Sequence, residues 1–62
     1  MERNSRMIIK RLEKQGWKLD RVKGGHHIFK HPEKPDPISL THPRKDVSPG
    51  LVRSIYKTAG WR

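Results

Sequence analysis

The 62-residue chain contains no cysteine, only six acidic residues and few aromatic side chains, and it has no long apolar run. Without cysteine it forms neither disulfides nor thiolate metal sites, which is compatible with a reducing compartment, and we expect a cytoplasmic protein. No apolar segment approaches the roughly 18 residues of a membrane-spanning helix. Because only 31% of the residues are apolar, we expect one small core and one domain, residues 1–62.

Positive charge is what the chain has in excess. Fifteen Lys and Arg against six Asp and Glu give a formal net charge of +9. Such an excess favours a polyanionic partner, most often nucleic acid, through the release of counterions. The alternative is a basic protein without such a partner. The charges are spread along the whole chain, which indicates a folded cationic surface rather than a basic arm.

Two segments have the spacing of amphipathic helices. In residues 5–15, Ser5 is a candidate N-cap, and Ile8, Ile9 and Leu12 form an apolar stripe. The second segment begins at Ser48-Pro49, with Ser at the N-cap and Pro at the first helical position. Its apolar residues also recur at helical spacing, and Gly16 and Gly60 follow the two helices as expected C-terminal glycines. The tryptophan after each glycine is predicted to pack back onto its helix.

The middle of the chain predicts three strands, over residues 17–23, 26–31 and 38–42. Gly24-Gly25 is a two-residue hairpin signal between the first two strands. Three prolines make residues 32–37 a loop. The predicted fold class is α+β with the order α-β-β-β-α, a three-stranded antiparallel sheet carrying both helices on one face.

All four histidines lie in or beside the predicted second and third strands. His27 and His31 alternate onto one face with Phe29, and His26 lies on the other face. The pattern does not decide which of these faces is buried. His42 ends the third strand and is expected near His26 or His31, depending on strand register.

Three interpretations of the histidines are open from the residues alone. The first is RNA cleavage, in which a neutral imidazole takes the ribose 2′-OH proton and nearby cations stabilise the phosphorane. The side-chain pKa of histidine, ordinarily about 6.5, suits that task. The second is a zinc site, which the surrounding cations disfavour. The third is that these are ordinary strand histidines. Cations near the histidines that suit the first interpretation are Arg21, Lys23, Lys30 and Arg44.

Several blocks of sequence resemble one known family in both content and spacing. They are Leu12-Glu13-Lys14-Gln15-Gly16-Trp17, Gly24-Gly25-His26, the segment from His27 to Pro32, the strand ending at His42, Ser48 to Ile55, and Ala59-Gly60. With these blocks the chain resembles HicA-type toxins, small messenger-RNA-cleaving partners of HicB-type antitoxins. The resemblance covers nearly the whole chain. Gly25 stands where the family usually has serine, and Leu40 where it often has proline.

The resemblance implies a fold similar to a double-stranded-RNA-binding domain and a metal-independent endoribonuclease without a cofactor. It implies mRNA and a HicB-like antitoxin as partners, and it places the catalytic histidine at His26. The expected RNA-binding or accessory residues are Lys23, Gly24, Gly25, Lys30, Arg44 and Lys45. The alternatives are a noncatalytic RNA-binding module of the same fold, which binds A-form RNA by shape and backbone contacts, and a protein-binding adaptor.

Overall fold

The computed structural model describes residues 1–61, which form two helices and one antiparallel sheet. The elements are α1 (Ser5–Lys14), β1 (Lys18–Lys23), β2 (His26–Lys30), β3 (Ile38–Thr41) and α2 (Pro49–Ala59). The strands lie in the order β1-β2-β3. The predicted α-β-β-β-α architecture is confirmed, and each predicted strand is one residue too long, at Trp17, His31 and His42.

A single hydrophobic core lies between the sheet and the two helices. β2, β3, both helices and the segments next to them all contribute to it, so the two amphipathic stripes meet over the same face of the sheet, as predicted. Its buried residues are Ile8, Leu12, Trp17, Phe29, Ile38, Leu40, Val47, Val52, Ile55, Tyr56 and Ala59. The helices have 10 and 11 residues, and within residues 1–61 neither is long or apolar enough to cross a membrane.

The start of α1 differs from the prediction. Asn4, in extended conformation, is the N-cap, and its side-chain oxygen accepts a hydrogen bond from the Arg6 backbone N–H at 3.0 Å. Ser5 is the first helical residue, and only 1% of it is exposed. The prediction of Ser5 as the cap is therefore wrong, because the preceding residue supplies the capping oxygen. Ser48 does lie at the N-cap of α2 with Pro49 after it, although its hydroxyl makes no capping hydrogen bond.

Both helices end as their glycines predict. Gly16 and Gly60 have φ of +94° and +77°, a left-handed conformation that costs glycine little. The chain then turns back, so that the Trp61 N–H donates to the Tyr56 carbonyl at 2.8 Å. The Arg11 guanidinium lies 4.2 Å from the centre of the Trp61 ring and joins the two helices at this end.

The edge strand β1 departs from simple alternation. A bulge at Asp20 shifts its pairing with β2, so that Leu19 lies opposite Phe29 and Val22 lies opposite His27. Both therefore point to the helix side of the sheet, although they are three residues apart. They remain 49% and 53% exposed, because β1 is an edge strand and every residue of it is exposed.

Candidate functional site

Strand pairing divides the sheet into two chemically different faces. Residues paired across an antiparallel ladder point to the same side, and successive residues point to opposite sides. The side away from the core, here called the open face, carries Lys18, Arg21, Lys23, His26, Ile28, Lys30, Ser39 and Thr41. The other side, here called the helix face, carries Leu19, Val22, His27, Phe29, Ile38 and Leu40.

His26 lies on the open face, at the hairpin end of the sheet. It is the first residue of β2, it is exposed, and its cross-strand neighbours are Lys23 on β1 and Thr41 on β3. Gly24 and Gly25 precede it in the turn, and a Cβ at either position would meet no atom within 4 Å. The imidazole is therefore open to a large ligand from the turn side.

The open face is strongly cationic. Lys18, Arg21, Lys23 and Lys30 are all exposed on it. The Lys30 Nζ is 3.6 Å from the Asp20 carboxylate, an exposed ion pair that neutralises little in water. No carboxylate of residues 1–61 lies within 4 Å of the other three cations. A phosphate chain approaching His26 therefore meets a positive surface.

A second group of polar residues lies on the helix side, next to the same end of the sheet. The rings of His27 and His42 are perpendicular with centroids 4.9 Å apart. The Nδ1 of His42 is 2.7 Å from the Ser5 hydroxyl oxygen, which also accepts the Arg44 backbone N–H at 2.8 Å. Leu40 is the cross-strand partner of His27, so His42, two residues later, is its diagonal neighbour. Register thus places the ring of His42 beside that of His27, a neighbour that the sequence did not predict.

Ser5 is the residue of this group that the sequence does not indicate. At the start of a helix a serine suggests a cap, and here its hydroxyl instead joins α1 to the segment after β3. The Ser5 backbone N–H also donates to the Arg44 carbonyl at 2.9 Å. One signal was available, since Asn4 and Ser5 are two capping residue types in succession and only one of them can act as the cap.

The predicted RNA-binding residues fall into two places. Lys23, Gly24, Gly25 and Lys30 accompany His26 at the hairpin or on the open face. Arg44 and Lys45 follow His42 in the chain and border a cleft of about 640 Å³ that His26 does not line. That cleft is lined by Asn4, Ser5, Arg6, Met7, His42, Pro43, Arg44 and Lys45.

His31 uses both of its ring nitrogens in local structure. Its Nδ1 accepts the Glu33 backbone N–H at 3.0 Å, so its Nε2 carries the proton and donates to the Gln15 carbonyl at 2.9 Å. The ring also packs edge-on against Trp17, with centroids 5.2 Å apart. Among residues 1–61, no three histidine or carboxylate side chains converge as metal ligands would.

Comparison with known proteins agrees with this architecture. The profile of the HicA toxin of bacterial toxin-antitoxin systems matches residues 5–61. A chain in a solved structure, the HicA3 and HicB3 toxin-antitoxin complex, is 39% identical, with 94% of each chain covered and a TM-score of 0.77. No curated protein matches significantly. The family profile covers nearly the whole chain, and an identity of 39% is higher than a shared fold alone would require. This chain therefore belongs to the HicA toxin family of bacterial toxin–antitoxin systems.

Proposed function

We propose that the chain, as a single domain over residues 1–62, is the toxin of a type II toxin–antitoxin system and a metal-independent endoribonuclease that cleaves mRNA in the cytoplasm. His26 is its general acid/base. The observation that carries this proposal is the position of His26, an exposed imidazole at the hairpin end of a cationic sheet face. Family membership supports the same assignment.

The chemistry needs only groups that RNA and the open face supply. The neutral imidazole of His26 takes the proton of a ribose 2′-OH, and the 2′-oxygen attacks the adjacent phosphorus. The bond to the 5′-oxygen then breaks, and that oxygen leaves with a proton returned by the imidazolium or by water. The products are a 2′,3′-cyclic phosphate and a 5′-hydroxyl. Because the phosphorane carries extra negative charge, a nearby ammonium stabilises it, and Lys23, the cross-strand neighbour of His26, is placed for that role.

The remaining open-face residues bind and admit the substrate. Lys30, with Lys18 and Arg21, holds backbone phosphates along the strands, which makes affinity dependent on salt. Gly24 and Gly25 leave the approach to His26 free of side chains. No step of this scheme requires a metal or an organic cofactor.

A HicB-like antitoxin is the proposed protein partner. The related solved structure is a complex of HicA3 with HicB3. A chain of net charge +9 suits an acidic partner, since complementary charge speeds association and selects the partner. We propose that the antitoxin covers the open face and with it His26, so that RNA is excluded in the complex.

The direct test replaces His26 by alanine and, as a matched control, His27 by glutamine at the next position on the opposite face. Cleavage of a defined RNA is measured with a chelator present. Loss of general acid–base catalysis typically costs about 10²–10⁴-fold, and we expect this for His26→Ala, whereas His27→Gln cleaves within a few-fold of the parent. Circular dichroism verifies the fold of both variants. Parental cleavage by a folded His26→Ala variant would refute the role of His26.

One observation favours the second candidate, a noncatalytic RNA-binding module. Within residues 1–61, no hydrogen bond orients either nitrogen of His26, whereas His31 and His42 are both held. A shape-reading module would use the same cationic face without cutting. If the parent chain binds RNA in a salt-dependent manner and never shortens it, this second function is the correct one.

A further inference from the structure

The cleft beside the first turn of α1 is rich in cationic side chains, and the carboxylate nearest to its lining, Glu2, accepts the backbone N–H of Asn4 at 3.1 Å. Three of its eight lining residues, Arg6, Arg44 and Lys45, are cations, and none is acidic. No carboxylate of residues 1–61 lies within 4 Å of these three side chains. The acidic residue next in the chain, Asp46, pairs its carboxylate with the Arg3 guanidinium at 2.9 Å, and its backbone carbonyl accepts a hydrogen bond from the Arg44 Nε at 3.4 Å.

The hydrogen bonds around Ser5 determine which nitrogen of His42 carries a proton. The Ser5 hydroxyl oxygen already accepts the Arg44 backbone N–H. Its own proton has one acceptor within reach among the described residues, the Nδ1 of His42 at 2.7 Å. In this arrangement the Nδ1 of His42 accepts and its Nε2 carries the N–H. His42 lines the cleft, and with Nδ1 bonded to Ser5 the ring N–H left for a ligand is the one on Nε2.

Ser5 itself is not a nucleophile in this arrangement. It is almost completely buried, and its hydroxyl is committed to His42 and to the Arg44 backbone. Its role is to position the ring of His42 and the backbone of Arg44, two of the groups that border the cleft. An oriented imidazole donor beside three cations is the chemistry that recognises a phosphate group.

We propose that this cleft is a second phosphate-binding site, in which His42, Arg6, Arg44 and Lys45 hold a phosphate of the RNA backbone. That the ligand is RNA rests on the proposed function, whereas the affinity of the cleft for a phosphate group is independent of it. Thr41 is the cross-strand partner of His26, and His42 is the next residue, on the opposite side of the sheet. One RNA strand that crosses the hairpin end of the sheet would therefore meet both sites.

The first experiment measures binding of a 2′-O-methylated single-stranded RNA, which has no 2′-hydroxyl nucleophile, as a function of salt. Arg44→Ala with Lys45→Ala removes two charges from the cleft, and Arg53→Ala with Lys57→Ala removes two exposed charges from α2. In the cleft variant, loss of one phosphate contact should make the negative slope of log affinity against log salt less steep by about 0.7. The α2 variant should keep the parental slope. Equal slopes in the two variants would overturn the proposal.

The second experiment identifies the donor, using inorganic phosphate as the probe and nuclear magnetic resonance as the readout. Addition of phosphate should shift the His42 Nε2 signal and the Arg44 and Lys45 amides of the parent. His42→Phe, which lacks the donor, should abolish the amide shifts, and His42→Gln, which retains an N–H, should preserve them. No shift in the parent, or equal shifts in both variants, would refute the site. Neither experiment involves RNA cleavage, so its outcome is independent of the role of His26.

Discussion

The two faces of the sheet carry histidines in opposite physical states. On the open face, His26 is exposed, and no hydrogen bond from residues 1–61 holds its ring. On the helix side, His27 packs against His42, and His42 is fixed by a hydrogen bond to a buried serine. A free imidazole among cations suits proton transfer to and from a bound polyanion, whereas a fixed one suits binding.

The difference extends to what each face does for stability. The helix face supplies Phe29, Ile38 and Leu40 to the core, whereas no residue of the open face is more than half-buried, Ile28 and Thr41 being the half-buried ones. Substitutions on the open face should therefore cost little free energy of folding, and those on the helix face much. Four comparisons between paired positions test this division.

The largest expected effect contrasts neighbouring residues of β2. Phe29→Ala removes a side chain that is 1% exposed, and should lower the free energy of unfolding by about 3–5 kcal/mol. Ile28→Ala, on the open face, should cost about 1 kcal/mol because its side chain is only partly buried. Urea unfolding followed by tryptophan fluorescence measures both, and similar losses would contradict the assignment of faces.

The next contrast concerns two serines. Ser5→Ala leaves the Arg44 N–H without its acceptor and the His42 Nδ1 without its donor, and should cost about 1–3 kcal/mol. Ser39→Ala, at an exposed position on the open face, should change stability by less than about 0.5 kcal/mol. The same unfolding measurement applies. A Ser5→Ala variant as stable as the parent would show that the hydroxyl bridge does not stabilise the fold.

A smaller effect is expected in the hairpin turn that joins β1 and β2. Gly24 has φ of +61°, so Gly24→Ser should cost about 1–2 kcal/mol. Gly25 has no such constraint and no neighbour within 4 Å of a Cβ, so Gly25→Ser should raise stability by about 0.5 kcal/mol. Thermal unfolding distinguishes the two. If Gly25→Ser destabilises as much as Gly24→Ser, the turn geometry is different from the one described.

The smallest effect contrasts the adjacent histidines. The Nδ1 of His27 is buried without a hydrogen-bond partner, so His27→Phe should stabilise the fold by about 1 kcal/mol. His26→Phe, on the open face, should leave stability within about 0.5 kcal/mol of the parent. Chemical unfolding of both variants checks this. Destabilisation by His27→Phe would mean that its nitrogen has a partner, such as an ordered water.

Sequence patterns predicted the helices, strands and turns well, and the contacts between these elements less well. Helices and turns depend on residues that are close together in the chain. Their signals, which are the apolar stripes of α1 and α2, the glycines after both helices and the hairpin glycines, were therefore recognisable in the sequence. The only sign of the bulge at Asp20 in the sequence is that Val22, three residues after Leu19, breaks the alternation of apolar and polar residues. Leu19 shows the limit, because alternation assigns a side of the sheet but not whether a helix covers that side.

For the candidate site, the sequence by itself determined the charge, the histidine positions and, with the family resemblance, the choice of His26. These depend on residue identity and on alternation along one strand. Only the tertiary structure decided that His42 meets His27, that Ser5 leaves the capping role to hold His42, and that Arg44 and Lys45 border a cleft with His42. Those facts depend on strand register and on where α1 packs, which are contacts between residues far apart in the chain.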